Sequence, residues 1–503
     1  MIMVVMIMSA SAQIPTTLDG PFKPVTRKFD PSLRLGSDDL PMNHPRLKKN
    51  VTSNFPEQIA LALSSPNSMW VSWITGDAQI GKNVTPLDPS TVASEVWYGD
   101  KSGKYSKKRT GVSMIYSQLY PFEGLLNYTS GIIHHVKIDG SNTVVSESEL
   151  SKHKGMLEKS ARNKGLEPGL TYYYKCGDSS IGAMSDERFF ETLPLPSPNT
   201  YPRRIAVVGD LGLTANTTTT IDHLIKNDPS LVLMVGDLSY ANQFMEPLIS
   251  RVPMMVVEGN HEIEPQADGV TFESYLKRFA VPSNESGSNS NFYYSVDAGG
   301  VHFIMLGAYI DYNRTGAQYS WLQKDLSQLD RSVTPWLVAA WHSPWYNSYS
   351  SHYQEFECMR LEMEELLYHY RVHAYERMNR VYNYSLEPCG PVYITIGDGG
   401  NIEKVDVDHA DEPGKCPSPG DNIPEFGGVV NSTYALWTWH RNQDIYKANS
   451  TGDQIYIVRQ PELCSVSTQH SQTRPSAATG FGVRVSSSCV LIYLIAFTWL
   501  HLL

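Results

Sequence analysis

The amino-acid sequence predicts two folded parts in tandem. An all-β sandwich of the fibronectin or immunoglobulin kind is expected over residues 51–193, and an α/β unit of layered β sheets flanked by helices over 203–464. Two observations predict the split. In the first region short apolar or aromatic runs alternate with polar residues and are separated by Gly, Pro, Asn and Ser, the pattern of half-buried strands. In the second, near-continuous apolar runs take turns with helical patterns, as in sheets covered on both faces. A third observation places the chemistry. Four of those runs end on side chains able to hold a cation: RRIAVVGDLG brings Asp210, SLVLMVGDLSYANQ brings Asp237 and Tyr240, VPMMVVEGNHE brings Asn260 and His261, and TPWLVAAWHSP brings His342.

The bulk properties narrow the function. A chain of 503 residues leaves room for two or three domains, and 41% hydrophobic residues suffice for real cores. The net charge of −11 argues against nucleic acid as a partner. Six cysteines are too few for a disulfide scaffold and form no CxxC zinc pattern. Nine N-x-S/T sequons, from Asn50 to Asn449, point to an oxidising compartment and a secreted or cell-wall glycoprotein.

Taken in order, residues 1–12 (MIMVVMIMSASA) read as a signal peptide, with Ala10, Ser11 and Ala12 as its small-residue cleavage pattern. Residues 13–50 form a polar, Pro-rich extension. The sandwich strands are IALALS, MWVSWIT, SEVWYG, GIIHHVKIDG and LTYYYKC. His134 and His135 are neighbours on one strand, so they face opposite sides and read as structural. A charged insert at 141–165 interrupts the sandwich. Residues 194–202, rich in proline, make a linker.

In the second unit TTTTIDHLIKND, YSWLQKDLSQLD and YQEFECMRLEMEELLYHY read as helices, while GVHFIMLGAY and GPVYITIGDGG add buried strands. Residues 465–503 are a low-complexity tail ending in the apolar CVLIYLIAFTWLHLL. Ser476, Ala477 and Ala478, a polar spacer and that terminal run match a GPI-anchor signal, hence membrane attachment by C-terminal lipidation. A reading-frame oddity is the alternative.

Strand-end loops gather beyond the carboxyl edge of such sheets. Asp210, Asp237, Tyr240, Asn260, His342 and His373 together could hold two adjacent metals. Hard oxygen donors with a phenolate favour trivalent iron, and imidazole with carboxamide suits a divalent partner. Paired metals can clamp a phosphate and generate a nucleophile from water. His261, next to Asn260, could donate a proton to a phosphate or leaving-group oxygen, its alternative being a purely supporting hydrogen bond.

The phrases GDLGLT, GDLSYAN, VVEGNHEIE, HSPWYNSY, VHAYERMNRVYN and GDGGNIE make the chain resemble the plant-type purple acid phosphatases. The likeness is to their long two-domain, phytase-like group within the calcineurin-like metallophosphoesterases, and it runs over about residues 45–464. The resemblance implies that Asp210, Tyr240 and His373 hold Fe(III), Asp237 bridges, and Asn260 and His342 hold a divalent metal (zinc, manganese or iron). It implies that His261 and His352, with Glu355 nearby, meet the phosphate or protonate the leaving group. The implied activity is hydrolysis of small-molecule phosphate monoesters by a metal-bound hydroxide. Some members pair through disulfides, and Cys358 lies in a suitable region for a homodimer.

The chain departs from that family in four places. At YHYRVHAYER, Tyr370 and Arg371 stand where the family has Gly-His, and the strand before them is missing. The divalent site is thereby one imidazole short, with a guanidinium in its place; His369 is a candidate substitute at a different spacing. Segments are also absent after GDLSYANQ and after PEFGG, and 141–165 is extra. An alternative transcript or gene-prediction error would produce this combination. The expectation is therefore an acid phosphatase, with a catalytically impaired variant as the alternative and a phosphodiesterase as a third reading.

Overall fold

The computed structural model describes residues 38–41, 44–47, 53–120, 126–139, 165–238, 242–346, 352–353, 355–370, 380–387, 389–397, 399–400, 402, 425–429, 432–440 and 451–459. The expected leader, nearly all of the 141–165 insert, Tyr240, His373 and the 465–503 tail lie outside these residues.

The N-terminal unit is built from two antiparallel sheets. In one, β1 (Glu57–Ser65) pairs with β2 (Ser68–Thr75), β2 with β9 (Ile132–Ile138), and β9 with β6 (Val112–Met114). In the other the order is β11 (Ala183–Met184), β10 (Thr171–Asp178), β4 (Glu95–Gly99), β5 (Lys107–Thr110), with β12 (Arg188–Glu191) also on β10. A small third sheet joins β3 (Gln79–Gly81), β8 (Leu126–Thr129) and β7 (Ser117–Tyr120). Period-two alternation sends Leu61, Val71, Trp73, Val96, Tyr98, Val136 and Phe190 inward, all nearly inaccessible. His134 and His135 face opposite ways as their adjacency requires. His134 stacks on Trp73 at 4.9 Å and bonds Thr75 and Ser94; His135 bonds Ser72 and the Lys277 carbonyl.

The second unit holds a six-stranded mixed sheet and a three-stranded sheet. The larger runs β15 (Met254–Val257), β14 (Leu231–Val235), β13 (Ile205–Val208), β21 (Glu425–Val429), β22 (Tyr434–His440), β23 (Thr451–Val458). Its first three strands are parallel, and β21 to β23 are antiparallel additions. The smaller is β16 (Tyr294–Ala298), β17 (Val301–Met305), β18 (Trp336–Ala340), with β17 and β18 parallel. β19 (Val381–Tyr382) and β20 (Ser385–Leu386) form a two-stranded hairpin.

Helices appear where the periodicity places them. α1 (Ala215–Lys226) starts on Thr214, whose hydroxyl accepts the Thr217 N–H, and Asn227 returns its amide to the His223 carbonyl. Its run of threonines is a poor helix former, so burial of Ile221 and Leu224 carries the element. α2 (Asn242–Ile249), α3 (Glu273–Arg278) and α4 (Ala317–Gln328) follow, and α5 (Glu357–Tyr370) buries Met359, Met363 and Leu367 against the smaller sheet's outer side.

One expected strand does not form. GPVYITIGDGG crosses the core in residues 392–396, with Tyr393 and Ile394 buried, yet it joins no sheet among the described residues. A strand requires a neighbour to receive its hydrogen bonds, and β18 pairs only with β17 there.

One apolar cluster runs from the sandwich (Ile59, Leu61, Trp73) into the large sheet (Val207, Leu233, Val256) without a break. Polar ties cross the same seam: Tyr174 donates to the Ser250 carbonyl at 2.7 Å, and Arg188 pairs with Glu246 at 3.0 Å.

Candidate metal centre

The centre is assembled at the carboxyl ends of strands from both sheets. Asp210 follows β13, Asp237 follows β14, Asn260 and His261 follow β15, and His342 follows β18. Both GD turns take left-handed backbone at the aspartate, with φ 56° at Asp210 and 51° at Asp237. For a non-glycine residue that costs on the order of 1–2 kcal/mol, a strain that folds keep where it aims a functional group. The two turns support each other, because the Asp210 N–H donates to the Gly236 carbonyl at 3.2 Å.

The glycines in these motifs make room. Gly236 has φ 97°, and a Cβ there would collide with His342 Nδ1 and stand 3.0 Å from Gly259 Cα. A Cβ on Gly259 would collide with Asp237 Oδ1. Backbone and ligand side chains can approach this closely only where no Cβ intervenes.

Asp210, Asp237 and His342 each offer a donor atom, and these atoms lie within 4.8 Å of one another. His342 Nε2 stands 3.6 Å from Asp237 Oδ2 and 3.1 Å from Asn260 Oδ1. Its Nδ1 lies 2.8 Å from the Val235 carbonyl, which can only accept, so that nitrogen carries the proton. His342 Nε2 then faces a carboxylate and a carboxamide oxygen. An imidazole nitrogen, a carboxylate and a carboxamide oxygen converging in this way are groups that a cation can draw on as ligands. The donor set fits a metal.

Of the sequence-predicted site residues, the structure thus brings Asp210, Asp237, Asn260 and His342 together. His261 is half-exposed beside them, with its backbone N–H donating to Asp237 Oδ1 at 3.1 Å and its ring Nε2 at 3.7 Å from Asp237 Oδ2. His352 and Glu355 form a solvent-facing pair, Nδ1 to Oε2 at 2.5 Å.

The sequence patterns of two families match the two units. The purple acid phosphatase N-terminal domain covers residues 56–192, and the calcineurin-like phosphoesterase domain covers 203–375. Purple acid phosphatase 23 of Arabidopsis thaliana is 64% identical over 83% of this chain and 95% of its own length.

The chain belongs to the purple acid phosphatase family.

Purple acid phosphatase 15 of Arabidopsis thaliana is 50% identical, covering 91% of this chain and 95% of its own, and a purple acid phosphatase of Glycine max is 30% identical over 84% and 89%. The match to the former extends over 533 residues, more than the 503 here, so that purple acid phosphatase carries residues this chain lacks. The structure of a purple acid phosphatase from yellow lupin (Lupinus luteus) seeds shares the fold, with a TM-score of 0.64 and 20% identity over 84% of this chain and 78% of that one.

Two residues of this purple acid phosphatase chain escaped the sequence reading. Glu262 is buried and accepts three backbone N–H groups: Asp237 at 2.8 Å, Leu238 at 2.7 Å and Gly259 at 2.8 Å. It clasps the GDLS turn to the GNHE turn. Tyr309, after β17, packs its ring against His342 at 5.9 Å and edge-on to Phe356 at 5.1 Å. Burial, with the charges of Glu355, Asp237 and Asp210 close by, holds its phenol above the usual range, while Ser343 alongside pulls the other way. Glu262 was visible as the end of GNHE, but nothing local to either position signals a role that depends on a second loop.

Proposed function

We propose that this chain hydrolyses phosphate monoesters as an acid phosphatase, phytate-like substrates included. The observation that carries the proposal is the convergence of Asp210, Asp237 and His342 donors within 4.8 Å in a chain 64% identical to a purple acid phosphatase. Asp210, with Tyr240 and His373, would hold Fe(III); Asp237 would bridge; Asn260 and His342 would hold a divalent zinc, manganese or iron. When bound, the pair would supply Lewis acidity to the phosphoryl oxygens and to the attacking water.

The protein's own groups do the rest. His261, beside Asp237 and open to solvent, donates a hydrogen bond to a non-bridging phosphoryl oxygen. Glu355 accepts a hydrogen bond from Nδ1–H of a protonated His352, whose Nε2–H then passes its proton to the departing alkoxide and leaves a neutral imidazole. Secretion, lipidation near the C-terminus and pairing of chains through Cys358 belong to the same reading and rest on sequence.

A second reading, an impaired family member, is supported by Arg371 in place of an imidazole and by the residues its relative carries and it lacks. Elemental analysis of purified secreted protein decides between them. Two metals per chain, one of them iron, with chelator-sensitive hydrolysis of para-nitrophenyl phosphate, is the expected result. One metal or none in folded protein overturns it in favour of the impaired variant.

A further inference from the structure

The turn that presents Asp210 is gripped from two sides by segments far from it in sequence. On one side stand residues 399–400. The Gly400 carbonyl accepts the hydroxyls of Thr214 and Thr217, the latter at 3.0 Å, and a Cβ on Gly399 would collide with the Gly209 carbonyl. The Thr217 hydroxyl in turn accepts the Gly212 N–H at 3.1 Å.

On the other side stands the polar, Pro-rich N-terminal extension. Leu40 donates its N–H to the Leu213 carbonyl at 2.9 Å, and Asp39 pairs with Thr214 as an antiparallel bridge. Leu213 comes just before Thr214, the N-cap of α1, so its carbonyl has no place in the helix ladder and takes a donor from outside. The extension is anchored beyond this point as well. Arg46 forks onto Asp222 of α1 at 3.3 and 2.8 Å, and Leu47 is buried in the main apolar cluster, with Leu40 packed against the same cluster. From Thr214 to Asp222 is about 12 Å along the helix, so the extension lies along α1 as a strap. The exposed ion pair adds little hold by itself. Leu47 is the firmer anchor, and the bond from Leu40 is where the strap meets the turn.

Asp210 calls for such a grip. Its backbone is left-handed, with φ 56°, and strained backbone persists only where its surroundings over-determine it. The bond from the Asp210 N–H to Gly236 and the burial of Leu211 fix the near end of the turn. Leu213, with only Leu211 and Gly212 between it and Asp210, is the far end.

We propose that Asp39 and Leu40 are positioning residues of the metal centre: paired with residues 213–214, they hold the turn that aims Asp210. The inference rests on the metal reading given above.

The purified full chain tests this. Leu40→Pro removes the N–H donor, and the extended backbone that proline imposes on the residue before it suits Asp39. Bound metal should pass from this variant into excess EDTA at least tenfold faster than from the parent. In hydrogen–deuterium exchange the Asp210 and Gly212 amides should open at least tenfold faster, with β14 unchanged. Leu61→Ala, a loss of packing in the sandwich core, should lower the melting temperature yet release metal within twofold of the parental rate. Parental release and exchange in Leu40→Pro overturns the proposal. So does release from Leu61→Ala as fast as from Leu40→Pro, since retention would then follow stability alone. Should Leu40→Pro not fold, Arg46→Glu sets the strap against Asp222 and should release metal at least threefold faster; parental release from it overturns the proposal equally. A parent that holds no metal overturns the metal reading instead, and the Asp210 and Gly212 exchange rates then decide whether the strap holds the turn.

Discussion

Glu262 Oε2 accepts the Asp237 backbone N–H at 2.8 Å, and that single carboxylate also receives the N–H groups of Leu238 and Gly259. Asp237 is therefore aimed by a residue from a different loop. Glu262→Ala would strand three buried N–H groups at about 1–3 kcal/mol each before relaxation. The expected outcome is a loss of several kcal/mol in denaturant unfolding and at least tenfold weaker metal retention on dialysis. Retention equal to the parent would show that Asp237 needs no such support.

Gly236→Ala places a methyl group against His342 Nδ1 on backbone at φ 97°. Both the strain and the collision act on the same loop, so about 3 kcal/mol or more of stability should go. His342 should turn away from Asp237, visible as metal content below half of the parent's in protein that still melts cooperatively. A fully loaded variant would contradict the close-approach argument.

Tyr309→Phe removes one hydroxyl while keeping the ring on His342 and Phe356. If that hydroxyl hydrogen-bonds the reacting phosphate, kcat/KM should fall about tenfold, the weight of one hydrogen bond to a charged group. Metal content and melting should stay near parental values. Unchanged kinetics would confine Tyr309 to packing.

His302 lies buried between Asp297 at 2.6 Å and Asp325 at 2.9 Å. Burial opposes its charge, but hydrogen bonds to both carboxylates prevail and raise it from 6.5 to about 9. A raised imidazole stabilises the fold fully below pH about 6.5, and that contribution disappears as pH climbs through about 9, on the order of 3 kcal/mol in all. Unfolding free energy should decline over this window in the parent and decline less in His302→Gln. Parallel pH curves for the two proteins would exclude the ion pair as the cause.

Much of the centre could be read from the sequence because three of its donors, Asp210, Asp237 and Asn260, directly follow a glycine at the end of an apolar run. GD and GN at the ends of apolar runs mark places where backbone must approach closely, and Asp210, Asp237, Asn260 and His342 duly meet. Glu262 and Tyr309 were not legible, since each acts on a loop that sequence does not show to be near. Residues 392–396 carry every local feature of a buried strand, yet strand formation depends on a neighbour that composition cannot supply.

The centre takes Asp210, Asp237 and Asn260 from one sheet and His342 from the other. Its donor spacing is thus a gauge of how far apart the two layers stand. A substitution deep between them, many residues from any donor, would alter ligand distances before it unfolded anything. Hydrolysis rate would then report core compaction, and variants selected for activity would carry mutations that no inspection of the mouth of the site could explain.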